Sequence, residues 1–240
     1  NSYLASTGEV GFVDRVVSSL VYIQGLPGIK PEELVIFESG EIAQATGIFE
    51  QTVELLNLSS TQVKVGTRAA RTGSFFQISV GDALLGSSIN ALGQSLDPAK
   101  PMPPMKEVRA VNDVPMGISA RSRIKRVCHT GVSLIDLMIP LGKGQRELVM
   151  GDQKTGKTRI LLRTLLTQVR DGSIGIYTAI GKSQLAIKQI EEQLAYMGIA
   201  DRMVIVSSSA SDGSGMVFLT PYTAMTIAEY FRDHGRDVII

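Results

Sequence analysis

The stretch GDQKTGKT, Gly151 to Thr158, constrains the fold more than any other part of the chain. Its spacing, G-x-x-x-x-G-K-T, works where a buried strand runs into a tight glycine turn and a helix starts at once. Gly151 and Gly156 let the backbone turn so that successive N–H groups converge on phosphate oxygens at the helix N-terminus, where the helix dipole also favours negative charge. Lys157 adds a point charge for the outer phosphates, and the Thr158 hydroxyl is placed to ligate the accompanying Mg²⁺. The whole run, Gly151, Asp152, Gln153, Lys154, Thr155, Gly156, Lys157 and Thr158, is therefore the candidate site for ATP or ADP.

The flanks suit the motif. QRELVM, Gln145 to Met150, ends in an apolar run fit for a buried strand, and RILLRTLLTQV places Ile160, Leu161, Leu165 and Val169 at helical spacing. Beyond Gly172, SIGIYTAIG is expected as a strand. Ser183 then caps a helix whose Ile187, Ile190, Leu194 and Met197 share one face, with Gly198 closing it. RMVIVSSSAS supplies another strand. A further helix is expected from Pro221, burying Ala224, Ile227, Ala228 and Phe231 before Gly235, and DVII starts one more strand. Alternating elements of this length predict a parallel sheet with crossover helices. Sites of this kind also need an acidic residue for Mg²⁺, usually just after a strand like DVII, and the 240 residues end there. The expectation is a fragment of a longer protein or an incomplete site.

The first 76 residues differ in character. Short β-type runs (VGFVDRVVSSLVYI, ELVIFES, EIAQATGIF, VELLNLS, TQVKVGTRAARTG) alternate with glycines, which predicts a small all-β sandwich or barrel. Its charged residues are scattered singly and read as solvated strand faces. GQSLDPAKPMPPMKEVRAVNDVPMG, Gly93 to Gly117, holds five of the nine prolines and reads as an extended connection with little strand. ARSRIKR, Ala120 to Arg126, lacks interleaved aromatics and reads as a solvated loop.

A formal net charge of +1 gives no global field for nucleic acid or acidic lipid. The single Cys128, beside His129, excludes an internal disulfide framework and is expected to be structural. No apolar run approaches the ~20 residues that span a bilayer, and NSYLASTGEV has neither the basic flank nor the apolar core of a signal peptide. Any membrane contact is expected through partners.

The blocks HTGVSLIDLMIPLGKGQRELVMGDQKTGKT, RTGSFFQISVGDALLGSSINALGQSLD, SSSASD and LTPYTAMTIAEYFRDHG, in this order, resemble the alpha subunits of rotary (F-type) ATP synthases from about Gly8 to Ile240. The resemblance implies a β-barrel over residues 1–76, which ties alternating alpha and beta subunits into a hexameric ring. It implies a RecA-like P-loop nucleotide-binding domain over 77–240 with a mainly parallel sheet, incomplete at its C-terminus, giving an α/β fold class overall. A helical C-terminal domain, the Mg²⁺ carboxylate and an arginine finger would lie outside these residues. Implied partners are catalytic beta subunits, a central-stalk gamma subunit and peripheral-stalk subunits. The implied location is peripheral, on the cytoplasmic, matrix or stromal face of a membrane, in support of ATP synthesis coupled to ion transport.

The resemblance also bears on hydrolysis. Catalytic beta subunits end the strand after the P-loop helix with a glutamate that polarises the attacking water, and alpha subunits carry glutamine. Here AIGKSQ puts Lys182 in that place, and a protonated ammonium cannot accept a proton. The chain is thus expected to hold nucleotide without turning it over. The sequence departs from the alpha pattern at Gln153 and Lys154, usually arginine and glutamine, and at Lys182, Ser183, Gln184 and Leu185, usually Q-K-(R/A)-S. The alternatives are a self-sufficient hexameric motor, of the protein-secretion or RNA-helicase kind, and a scaffold whose site has decayed.

Overall fold

A computed structural model describes residues 8–59, 61–111 and 117–240. Pro115 and its neighbours in the proline-rich connection, and most of NSYLASTGEV, lie outside them. The N-terminal strands are β1 (Val10–Val17), β2 (Leu20–Gln24), β3 (Glu33–Phe37), β4 (Ile42–Ile48), β5 (Val53–Asn57) and β6 (Arg68–Phe75). They pair antiparallel and close into a barrel in the order β1-β2-β5-β4-β3-β6. Alternate residues point inward because the strand period is two. Val13, Val21, Ile23, Val35, Phe37 and Leu55 fill the interior, with Ala43, Ala45 and Ala69 where the walls converge.

Not every charge of the barrel is solvated. Glu33 shares the inward parity of Val35 and Phe37 and is only 1% exposed. Arg71 of β6 meets it with a two-pronged bond, Nε to Oε1 at 2.9 Å and an Nη2 to Oε2 at 3.0 Å. The amides of Lys30 and Gly73 donate to the same carboxylate, and the third nitrogen of Arg71, Nη1, reaches Glu9 at 3.0 Å. The expectation of scattered surface charges fails here, because pairing β3 with β6 brings opposite charges together at one end of the barrel.

The second region holds a parallel sheet of four strands in the order β14-β12-β13-β8, built from β8 (Ser87–Ile89), β12 (Ile174–Lys182), β13 (Met203–Ser209) and β14 (Val238–Ile239). Short antiparallel pairs flank it: β7 (Gln77–Val80) with β9 (Glu107–Ala110), and β10 (Val127–Cys128) with β11 (Leu141–Gly142). The connection read as strand-poor thus contributes β9. Among the described residues the α-helices are α1 (Ser133–Met138), α2 (Lys157–Arg170), α3 (Gln184–Tyr196) and α4 (Ser214–Asp233). Among the described residues no helix is long and apolar enough to cross a membrane.

Helices α2 and α3 cover one face of the sheet, where Leu162, Leu165, Leu166, Val169, Ile187, Ile190 and Leu194 meet Tyr177, Ala179, Met203 and Ile205. The Ser183 side chain caps α3 by accepting from the Ala186 amide, and Gly198 takes a left-handed φ of 68° just beyond its end. Helix α4 covers the other face with Met216, Leu219, Ala224, Ile227 and Phe231. That core continues into Leu56 and Leu58 at the barrel's edge, so barrel and sheet share apolar contacts.

Three expectations are corrected by this arrangement. Helix α4 begins at Ser214, seven residues before Pro221, which lies exposed inside it. The ring removes the N–H that would bond the Val217 carbonyl, a loss the long buried flank outweighs. On α2 the buried stripe is Leu162, Leu165, Leu166 and Val169, while Leu161 is exposed and Ile160 only half-buried. Finally, Gln145 to Met150 form no strand, and Leu148, Val149 and Met150 are exposed. Among the described residues no strand pairs with them.

Candidate functional site

The loop from Gly151 to Thr158 leads into α2, which starts at Lys157. Gly156 is its N-cap residue, with φ 92° and ψ 10°, a left-handed conformation that glycine adopts without steric cost. No side chain caps the helix, and its first internal bond runs from the Ile160 amide to the Gly156 carbonyl at 3.2 Å. The N–H groups of Gly156, Lys157, Thr158 and Arg159 consequently lack intrahelical acceptors. Lys154 is also left-handed, with φ 63°, so the chain curls twice within three residues.

The loop closes on itself through two side chains. Thr155 Oγ1 donates to the Asp152 carbonyl at 2.8 Å, and the Lys157 ammonium donates to the carbonyls of Gly151, at 2.6 Å, and Asp152. An open depression of about 550 Å³ lies here, lined by Val149, Met150, Gly151, Asp152 and Lys157. A phosphate fits this donor set: four uncapped amides and an ammonium whose partners are the loop's own carbonyls. The hydroxyl of Thr158 is exposed at the same helix end, and among the described residues no cluster of three acidic, His or Cys side chains offers a metal an alternative. A Mg²⁺ ion here would take Thr158, phosphate oxygens and water, the mixed shell this ion favours. Gln153 and Lys154 are exposed on the loop.

Upstream, Asp136 closes the turn at Thr130 and Gly131. Its Oδ1 accepts from the amide and hydroxyl of Thr130, both at 2.8 Å, and its Oδ2 accepts from the Gly131 amide at 3.1 Å. The Thr130 bonds, chiefly, hold the Asp136 carboxyl below its ordinary range. The turn is tied to α2 by Gln168, whose Nε2 donates to the His129 carbonyl at 2.8 Å, and by Arg163 and Thr167. Gln168, 2% exposed, is a polar residue on the apolar stripe of α2, and that break in the pattern was its only sequence signal. Cys128 is half-buried and burial, first, pushes its thiol up, which favours the neutral form.

Downstream, β12 ends in a bulge: Gly181 has φ 63°, and the register with β13 shifts between Ile180 and Lys182. Lys182 is exposed at the carboxyl end of the strand, where it pairs with Ser209 of β13 and its carbonyl accepts from the Ala210 amide. It makes no hydrogen bond or ion pair with the loop. The helices that follow β12 and β13 leave to opposite faces, which makes the crest between these strands a topological switch point. Near that crest the buried hydroxyls of Thr178, Ser207 and Ser208 have no partner among the described residues. Ser207 lines a groove of about 870 Å³ between α3 and the turn Ser95–Lys100.

Asp237, at the foot of β14, draws together what the sequence left apart. Its carboxylate takes a two-pronged bond from Arg126, at 2.6 and 2.8 Å, and a third from Lys143 at 2.8 Å. Arg126, first, and Lys143 hold its pKa down at about 2. The basic run is thus solvated except at Arg126, which is engaged.

Comparison with known proteins agrees with this geometry. Residues 131–240 match the ATP synthase alpha/beta family, nucleotide-binding domain. ATP synthase subunit alpha of Helicobacter acinonychis (strain Sheeba) is 35% identical over 233 residues, 97% of this chain and 46% of that protein. The chain therefore spans about half the length of the curated relative it matches. With a closed barrel, a parallel sheet flanked by helices and a glycine loop at a bare helix end, joined by this similarity along nearly its whole length, the chain belongs to the ATP synthase alpha/beta family and is of the alpha-subunit type.

Proposed function

We propose that this chain holds Mg-ATP or Mg-ADP at Gly151–Thr158 without hydrolysing it, as the non-catalytic alpha-type subunit of an F-type rotary ATP synthase. In that assembly it alternates with catalytic beta subunits around a central-stalk gamma subunit, is held by a peripheral stalk, and meets the membrane only through the complex. The uncapped amides of α2 and the Lys157 ammonium support phosphate binding. When bound, Mg²⁺ supplies charge neutralisation between phosphate oxygens, and the Thr158 hydroxyl is the chain's own ligand to it.

One observation carries the non-catalytic reading: β12 ends in the exposed Lys182. Hydrolysis needs a group near the outer phosphate that accepts a proton from water, and an ammonium offers only donors. The test is a nucleotide titration and a phosphate-release assay on the full chain. Mg-ATP is expected to bind with no turnover above background until a beta subunit is added, and Lys157→Ala is expected to weaken binding by roughly a hundredfold, about 2.7 kcal/mol. Steady turnover by the chain alone refutes the reading, and unchanged binding by Lys157→Ala removes the loop as the site.

A further inference from the structure

Three successive carbonyls of one turn accept from one helix. Those of His129, Thr130 and Gly131 take Gln168 Nε2 at 2.8 Å, Thr167 Oγ1 at 3.3 Å and Arg163 Nε at 3.2 Å, all from α2. The Thr167 proton is shared with the Arg163 carbonyl of its own helix at 3.0 Å. The N–H groups of the turn are met separately: those of Thr130 and Gly131 donate to Asp136, and that of Val132 to the Thr130 hydroxyl at 3.1 Å. Thr130 is 1% exposed. Gly131 has φ 72°, and a Cβ there would stand 2.3 Å from Thr167 Oγ1, so the turn is seated directly on the helix.

Helical spacing puts the turn on a different side of α2 from the sheet. With about 3.6 residues per turn, Leu162, Leu165, Leu166 and Val169 form one stripe, which packs on the sheet, while Arg163 and Thr167 stand outside it. Apolar contact is non-directional, so it resists separation more than sliding. Hydrogen bonds to three consecutive carbonyls are directional and select one height along the helix axis. At its other end the same helix carries the bare amides of Gly156 to Arg159.

We propose that the turn His129–Gly131 is an axial stop for the phosphate-binding helix, and that Asp136 is its positioning residue. By holding the amides of the turn, Asp136 keeps the three carbonyls aimed at α2 and so sets where the Gly156–Arg159 amides stand. Asp136 touches no phosphate. It acts by placing the helix end before the ligand arrives, which lowers the ordering cost of binding. Coupling of this kind is reciprocal, so bound nucleotide in turn steadies the His129–Gly131 turn. The inference rests on reading Gly151–Thr158 as the nucleotide site.

The experiment uses the full chain, a fluorescent ATP analogue and amide hydrogen exchange. Asp136→Asn and Thr167→Val are each expected to weaken binding roughly fivefold, the double variant little further, and Thr167→Ser, which keeps the hydroxyl, to stay within about twofold. Saturating Mg-ATP is expected to slow exchange at the Thr130 and Gly131 amides roughly tenfold in the unmodified chain and to leave it unchanged in Thr167→Val. Without nucleotide, the Ile160 amide, which closes the first turn of α2, is expected to exchange several times faster in Thr167→Val than in Thr167→Ser. Binding by Asp136→Asn and Thr167→Val as tight as that of the unmodified chain overturns the proposal. Losses that multiply in the double variant, or turn amides indifferent to bound nucleotide, overturn it as well. If the unmodified chain binds no ATP, the nucleotide reading fails, and exchange at Ile160 alone then decides whether the turn positions α2.

Discussion

Glu33 is a carboxylate inside a barrel, and such a charge is stable only where its lone pairs are met. Burial alone would raise its pKa, yet the Arg71 guanidinium and the amides of Lys30 and Gly73 outweigh that and hold it below the ordinary glutamate range. A depressed carboxylate stabilises the fold above its unfolded pKa. The barrel is thus expected to keep the full contribution above roughly pH 5 and to lose it as pH falls below the ordinary glutamate value of about 4.3. Glu33→Gln leaves Arg71 without its main counter-charge and is expected to cost about 3 kcal/mol in a denaturant titration at pH 7, with little further loss at pH 4. A cost below about 0.5 kcal/mol would show the pair to be idle. The parity of Glu33 with Val35 and Phe37 was visible in the sequence, but its partner lies 38 positions away and became visible only with the pairing of β3 and β6.

Among the elements, those legible in the sequence carry their own signals. The Ser183 cap, the left-handed glycines and the nine-residue β12 are written within a few positions of where they act. The start of α4 is not, because it is fixed by something distant. A Cβ at Gly215 would stand 2.1 Å from the Asn57 carbonyl oxygen of β5, so the first turn of the helix lies directly against barrel backbone. Ser19 and Ser214 hydroxyls meet at 3.0 Å in the same seam. Gly215→Ala is expected to lower stability by about 2 kcal/mol or more, because backbone rather than a flexible side chain must yield. A chemical-denaturation midpoint equal to that of the unmodified protein would mean the seam gives way freely. Gln145 to Met150 show the opposite case, an apolar run with clear strand composition whose state depends on a partner that composition cannot supply.

At the scale of the molecule, the core beneath α4 runs without a break into Leu56 and Leu58 of the barrel's edge. Units that share a core unfold together. Hydrogen-exchange protection in β5 and α4 is accordingly expected to disappear at one denaturant concentration, and two separate transitions would show that the seam is only a contact. The glycine loop and the alternation of helix and strand announced an α/β fold, but nothing in Ser87–Ile89 announced its outermost strand, which is too short to carry a pattern.

That outermost strand sets a timetable on the ribosome. Ser87 to Ile89 pair with Val204 to Val206, so one edge of the sheet waits for roughly 120 further residues, about 6–24 s of synthesis, while the six strands of the barrel are already complete at Phe75. During that interval Ile89 and Leu84, both fully buried at the end, have no sheet to cover them. The nascent chain spends this time with its barrel strands made and the apolar faces of Leu56, Leu58, Leu84 and Ile89 still uncovered, the state in which a holding chaperone would find it.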